Sequence, residues 1–244
     1  MAIALVTGAS KGLGRALAQE LAERGWSLVI DARDGEALAE AERTILPHLA
    51  PDASLVVVPG DVADAGHRRD LVTAAERLGG LDLVVNNAST LGATPRPILA
   101  AYPLDELDRA LAVNVVAPLA LVQQAMVLLR RSPRPAVVNI TSDASVEAYE
   151  GWGGYGLSKA ALDHMSAVMA VEEPSLLVWA VDPGDMRTQM HQDAFPGEDI
   201  SDRPLPEEVV ADLVGLVDAG LPSGRYRLAD LRSTRARVLE TESS

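Results

Sequence analysis

Thr7-Gly8-Ala9-Ser10-Lys11-Gly12-Leu13-Gly14 follows directly on an apolar run at residues 2–7 and leads into an amphipathic stretch at residues 12–24. Glycines at these positions let the backbone turn tightly and approach a bound pyrophosphate. The free N–H groups and dipole at the start of the following helix then favour the anion. A glycine-rich turn alone serves equally well as a simple bend. Set after a strand and before a helix, at the front of an alternating chain, it reads as a dinucleotide site.

The alternation continues to the far end of the chain. Short runs rich in Val, Ile and Leu recur at residues 26–32, 55–59, 81–86, 136–141 and 176–182, with a last strand-length run at 225–229, each bounded by turn-forming residues. Helix-length segments lie between them, at 35–46, 63–78, 104–131, 156–171 and 206–219. Strands that are apolar throughout are buried on both faces, so the pattern predicts an α/β fold of the Rossmann type. Its core is a doubly wound, seven-stranded parallel sheet with helices on both faces. No repeat or linker divides the chain, and residues 1–244 are expected to form one domain. The least regular piece, residues 184–206, reads as a loop over the substrate. The tail after Asp230, with Arg232, Arg235 and Arg237, reads as a surface or partly disordered segment.

Composition narrows the function. The 244 residues are 48% apolar, and 35 acidic side chains against 21 basic ones leave a formal charge of −14. A chain of this length buries roughly 70–75% of its unfolded surface, enough for a core without staples. A phosphate-backbone binder needs a basic stripe, and none is present, so nucleic acid is not an expected partner. The absence of cysteine excludes disulfides, thiolate metal sites and thiol nucleophiles. His48, His67, His164 and His191 show no metal-ligand spacing, so no metal is expected. Residues 110–129 carry no charge and match a membrane span in length. Asn114, Pro118, Gln123 and Gln124 would be costly in lipid, so the stretch reads as a buried helix. The strand at the start, with no leader before it, predicts a cytoplasmic protein.

Tyr155-Gly156-Leu157-Ser158-Lys159 carries the chemistry. Four residues apart on a helix, a phenol and an ammonium share a face. The cation favours phenolate, so Lys159 is expected to lower the pKa of Tyr155 and suit it to proton transfer. Ser142, at the mouth of a strand, is placed to donate a hydrogen bond to the same carbonyl oxygen. Hydride is beyond any side chain and must come from a nicotinamide.

Together these residues resemble the short-chain dehydrogenase/reductase family. The glycine spacing, Asp61-Val62, Asn86-Asn87-Ala88, Asn114, Ser142, Tyr155 with Lys159, and Pro183-Gly184 followed by Thr188 match that family's landmarks in order over about residues 2–190. The resemblance implies that Asn114, Ser142, Tyr155 and Lys159 form the catalytic set, with Asn114 keeping a water on the proton path to Lys159. It implies that Gly8, Ser10, Lys11, Gly12, Leu13 and Gly14 hold the pyrophosphate and that Asp61 and Val62 meet the adenine. Asn87 and Ala88 would line the adenosine ribose, and Tyr155, Lys159, Pro183, Gly184 and Thr188 would also contact the cofactor.

Cofactor choice turns on the end of the second strand. An acidic residue there would chelate the ribose diol of NAD, whereas an Arg pairs with the 2′-phosphate of NADP. On the family's spacing the position falls on Ala32, followed by Arg33, and Lys11 adds a second cation, which favours NADP(H). Asp31 is the competing feature: a one-residue shift in register would bring its carboxylate to the ribose and favour NAD. Two residues depart from the family pattern. Ser89 stands where a glycine is usual, which would be strained at positive φ, and Asp182 stands before Pro183 where an uncharged residue is usual.

Residues 86–92, Gly151-Trp152 and Glu172-Glu173-Pro174 are similar to the sepiapterin reductases and related dicarbonyl reductases of that family. The implied activity is reduction of a small ketone or dicarbonyl, with an NAD-dependent alcohol dehydrogenase or a non-catalytic NADP-binding sensor as alternatives. Trp152, Met186, Met190 and Phe195 are candidate apolar walls, and His191 and Asp230 candidate polar contacts. The uncharged helix around residues 113–129 and the helix after Tyr155 match the faces by which the family assembles, implying a homodimer or homotetramer.

Overall fold

In the computed structural model, which describes residues 1–231, seven strands form at the runs read from sequence. These are β1 (Ile3–Val6), β2 (Ser27–Ala32), β3 (Leu55–Pro59), β4 (Leu83–Asn86), β5 (Ala136–Ile140), β6 (Leu177–Asp182) and β7 (Gly224–Arg227). All pair in parallel, in the order β3-β2-β1-β4-β5-β6-β7. The winding reverses between β1 and β4, and this switch opens a crevice at the carboxyl ends of the central strands.

Alternate strand residues feed two cores, as a period of two requires. Ala4, Val6, Leu28 and Ile30 pack with α1 (Gly12–Glu23), α2 (Gly35–Ile45) and α8 (Pro206–Ala219). Leu5, Val29, Val84 and Val137 pack on the other side with α3 (Ala65–Leu78), α5 (Ala117–Leu129) and α6 (Gly153–Glu172).

Three elements differ from expectation. The helix predicted at 104–131 is α4 (Leu104–Leu111), a π-helical turn (Ala112–Val116) and α5. Pro118 has no N–H to offer the Asn114 carbonyl four residues before it, and the widened turn sits where that helical bond is missing. By length and composition Leu104–Leu129 suffices for a membrane span, but Leu121, Val122, Ala125 and Leu129 are buried in the second core. The helix expected from residue 156 begins at Gly153, so Tyr155 lies in its first turn. Finally, the loop at 184–206 contains a short helix, α7 (Gln189–Ala194), capped by Thr188, whose hydroxyl accepts from the His191 N–H at 3.2 Å. The expected polar tail with Arg232, Arg235 and Arg237 lies outside the described residues.

Candidate active site

The crevice is a continuous cavity of about 1020 Å³. Of the candidate site residues, all but Gly14 and Asn114 line it, and those two pack directly behind it. At its nucleotide end Gly8 adopts φ +67°. A Cβ there would lie 2.8 Å from the Ala88 Cα, and one on Gly14 would lie 2.5 Å from the Gly8 carbonyl oxygen. Only glycines let the loop and the end of β4 close on each other this far. Thr7 ties the two together: its hydroxyl accepts from the N–H groups of Asn87 and Ala88, both at 3.0 Å. The Asn87 amide donates to the carbonyls of Thr7 at 2.9 Å and Gly8 at 3.1 Å, so this side chain braces the loop as well as bordering the cavity.

Helix α1 starts at Lys11 without a side-chain cap. Its first N–H groups therefore face the crevice as an anion site needs. Lys11 and Arg33 are exposed at this end, and neither side chain has a hydrogen-bond or ion-pair partner among the described residues. Asp31 behaves differently. It is fully buried: Oδ1 accepts from the Gly8 N–H at 2.8 Å, and Oδ2 lies 2.9 Å from His67 Nε2. Burial raises its pKa, while the His67 and Gly8 hydrogen bonds oppose the rise. Both carboxylate oxygens are thus committed to the protein, and Arg33 and Lys11 are left as unpartnered cations facing the cavity.

At the other end Ser142 leaves β5, and α6 presents Tyr155 and Lys159. The Lys159 ammonium donates to the Ile140 carbonyl at 2.8 Å and lies 5.4 Å from the centre of the Tyr155 ring. Asn114, in the π-helical turn, donates to the Thr90 carbonyl and to the Ser158 hydroxyl, both at 2.9 Å. Its side-chain oxygen accepts from the Thr90 N–H at 2.9 Å and the Ser89 hydroxyl at 3.2 Å. Ser89 is not strained, since no described residue other than glycine has positive φ.

The expected lowering of the Tyr155 pKa is not what the protein's own groups produce. Burial pushes the phenol well above its ordinary value, the Ser142 and Ser89 hydroxyls oppose this, and Asp182 and Asp143 add to it. Removing water from around a phenolate costs more here than the neighbouring groups return. The same burial takes Lys159 down to about 8, with Asp163 opposing.

Several participants were not singled out from sequence. Asp143, beside Ser142 in the chain, accepts from the Ser142 hydroxyl and from Tyr149 Oη, both at 2.9 Å. The adjacent Ser142-Asp143 pair was the available signal. Asp182, which the sequence marked only as a departure from the family pattern, is buried, accepts from the Gly184 N–H at 3.0 Å and meets Arg225 at 3.4 Å. Arg225 also donates to the Ser142 carbonyl at 3.1 Å and to Asp163 at 2.9 Å. No motif marks it, because it lies on the last strand.

Trp152, Met186, Met190, His191 and Phe195 wall the substrate end. Trp152 meets Tyr155 edge-on at 5.7 Å and Phe195 at 5.8 Å, and the Arg96 guanidinium lies 4.0 Å over the Trp152 ring. Asp230 is exposed and does not line the cavity.

The family model described as short chain dehydrogenase matches residues 2–199. The chain is 35% identical over 201 residues to sepiapterin reductase of Mus musculus, covering 78% of this chain and 77% of that protein. Among solved structures, it superposes on a short chain dehydrogenase from Escherichia coli CFT073, complexed with NADPH, with TM-score 0.84 and 26% identity over 93% of this chain and 96% of that one. A short chain dehydrogenase from Shigella flexneri 2a, complexed with NADP, gives 0.82 and 27% over 93% and 95%.

Proposed function

The chain belongs to the short-chain dehydrogenase/reductase family, and on that footing we propose that it is an NADPH-dependent carbonyl reductase acting on a small ketone or dicarbonyl. The observation that carries this reading is the buried Tyr155 lining the cavity with Ser142, with the Lys159 ammonium 5.4 Å from the centre of its ring.

The site suits the cofactor. The uncapped start of α1 and the close-packed glycines fit a pyrophosphate, and the unpartnered Lys11 and Arg33 fit a 2′-phosphate. Asp61 and Val62 would border the adenine, and Pro183, Gly184 and Thr188 the nicotinamide end. The bound cofactor supplies hydride. Everything else falls to the chain. Ser142 orients the substrate carbonyl oxygen by a hydrogen bond, for which its hydroxyl must leave Asp143. Tyr155, protonated at neutral pH, gives its proton to that oxygen. Lys159 stabilises the phenolate left behind, and Asn114 keeps α6 and the 89–90 segment in register beside it. A water held at the Asn114 carbonyl, which Pro118 leaves without its helical donor, would return the proton.

Trp152, Phe195 and the two methionines favour a compact, partly apolar substrate. Likeness to sepiapterin reductase supports reduction of a small ketone or vicinal dicarbonyl. Val116 and Val127 around α5, and Val168 and Val171 on α6, are exposed, and they support assembly as a homodimer or homotetramer through these helices.

The test is the fall in NADPH and NADH absorbance, side by side, over diketones, aryl ketones, pterins and quinones. Turnover with NADPH on a member of the panel is expected. Binding of NADPH with no turnover on any of them would favour a nucleotide sensor instead.

A further inference from the structure

We infer that His67 is a specificity-determining positioning residue: by holding Asp31 against the glycine loop it withholds a carboxylate from the cofactor's ribose and leaves that end to Arg33. The inference rests on the NADPH reading above.

Asp31 stands on β2 two residues before Arg33 and borders the same cavity. A carboxylate free at this place accepts from a ribose hydroxyl and repels a 2′-phosphate, so it favours NADH. Two donors keep it from doing so. One is the Gly8 N–H, a backbone group that belongs to the loop's own turn. The other is His67 Nε2, 36 residues further along the chain and the one donor of the pair that depends on side-chain identity.

The local structure is built around that ring. Asp64 caps α3 and accepts from the His67 N–H at 2.8 Å, fixing the backbone from which the side chain leaves. The ring fills the space that Gly60 leaves open, since a Cβ there would lie 2.3 Å from His67 Nδ1. Asp31 and His67 are both buried. A buried carboxylate needs its donors, and losing one is costly. Without His67, the available relief is rotation of Asp31 toward the cavity, where the cofactor's ribose supplies a donor.

The test is equilibrium titration of NADPH and NADH into the purified protein, read as a Kd ratio, with thermal unfolding alongside. Wild type is expected to bind NADPH more tightly. His67→Phe keeps the ring volume and removes the donor, and should shift the ratio toward NADH by about tenfold. His67→Asn, polar but too short to reach Oδ2, carries the same expectation should the phenyl variant not fold. His67→Gln, whose amide nitrogen falls near Nε2, should restore the ratio. In an Asp31→Asn background the His67→Phe effect should vanish, because the residue acts through Asp31.

A purely structural His67 would lower the unfolding temperature and weaken both cofactors alike. An NADPH preference in wild type with a variant ratio within about twofold of it therefore overturns this inference alone. A wild-type preference for NADH overturns the cofactor reading and this inference with it.

Discussion

Lys159 holds its ammonium 5.4 Å from the centre of the Tyr155 ring, and both side chains are buried. Burial acts on the two in opposite senses. It keeps the phenol protonated and eases the proton off the ammonium, bringing Lys159 to about 8. At neutral pH the pair is a neutral acid beside a cation, the combination that can donate a proton and then stabilise the anion that results.

The pH dependence of reduction follows from Lys159. Above about 8 the ammonium is lost, and the phenolate formed on proton donation has no cation behind it. The kcat/KM for carbonyl reduction should be level near neutrality and fall with rising pH, approaching tenfold per unit. A profile still level at about pH 10 would contradict the role given to Lys159.

Stability should respond to the same group. Lys159 titrates near 8 in the folded chain and near 10.5 in the unfolded one, so between these values the unfolded state binds the extra proton and stability rises with pH. Tyr155, raised by burial, limits the rise: above about 10 the unfolded phenol ionises first and stability falls. Tyr149, raised by its hydrogen bond to Asp143, acts in the same sense as Tyr155. A gain of about 2 kcal/mol from pH 8 to 10 is expected in denaturant titrations. Lys159→Met should remove it; an equal gain in that variant would assign the effect elsewhere.

Tyr155→Phe removes one hydroxyl from a packed ring. Turnover should drop by about 10²–10⁴, while the Kd for NADPH, read by fluorescence, should stay within about twofold. Comparable turnover in the variant would move the acid role to another group.

Arg33→Asp exchanges an unpartnered cation for a carboxylate at the nucleotide end of the cavity. The ratio of kcat/KM for NADPH over NADH should fall by about 10- to 100-fold. An unchanged ratio would place the 2′ end of the cofactor elsewhere.

The central strands were legible because they are buried on both faces, so Leu5, Val29, Val84 and Val137 sit in unbroken apolar runs with little polar alternation to confuse them. The glycine loop and the Tyr155–Lys159 pair were legible because each is a short-range pattern. What escaped notice depends on long-range pairing. Asp31 could be read only as a possible ribose ligand, since its partner lies on α3. Arg225 gave no signal, since its three acidic and carbonyl partners come from β6, α6 and the end of β5. The direction of the Tyr155 shift also depended on how deeply the phenol is buried, which helical spacing does not reveal.

Arg225 leads to the last prediction. It meets Asp182 at 3.4 Å and Asp163 at 2.9 Å and donates to the Ser142 carbonyl at 3.1 Å, joining β7 to the catalytic end of the site. Arg225→Met leaves a buried carboxylate short of a partner, and should cost about 1–3 kcal/mol at pH 8. With Ser142 less firmly placed, kcat should fall about tenfold. Burial already holds the Asp182 pKa above its ordinary value, so the folded state takes up its proton first on acidification and this deficit shrinks as the pH falls. Asp182→Asn in the same background should recover most of the lost stability without restoring the anchor on Ser142. A deficit that does not shrink at all on acidification would show that the cost does not come from the Asp182 charge.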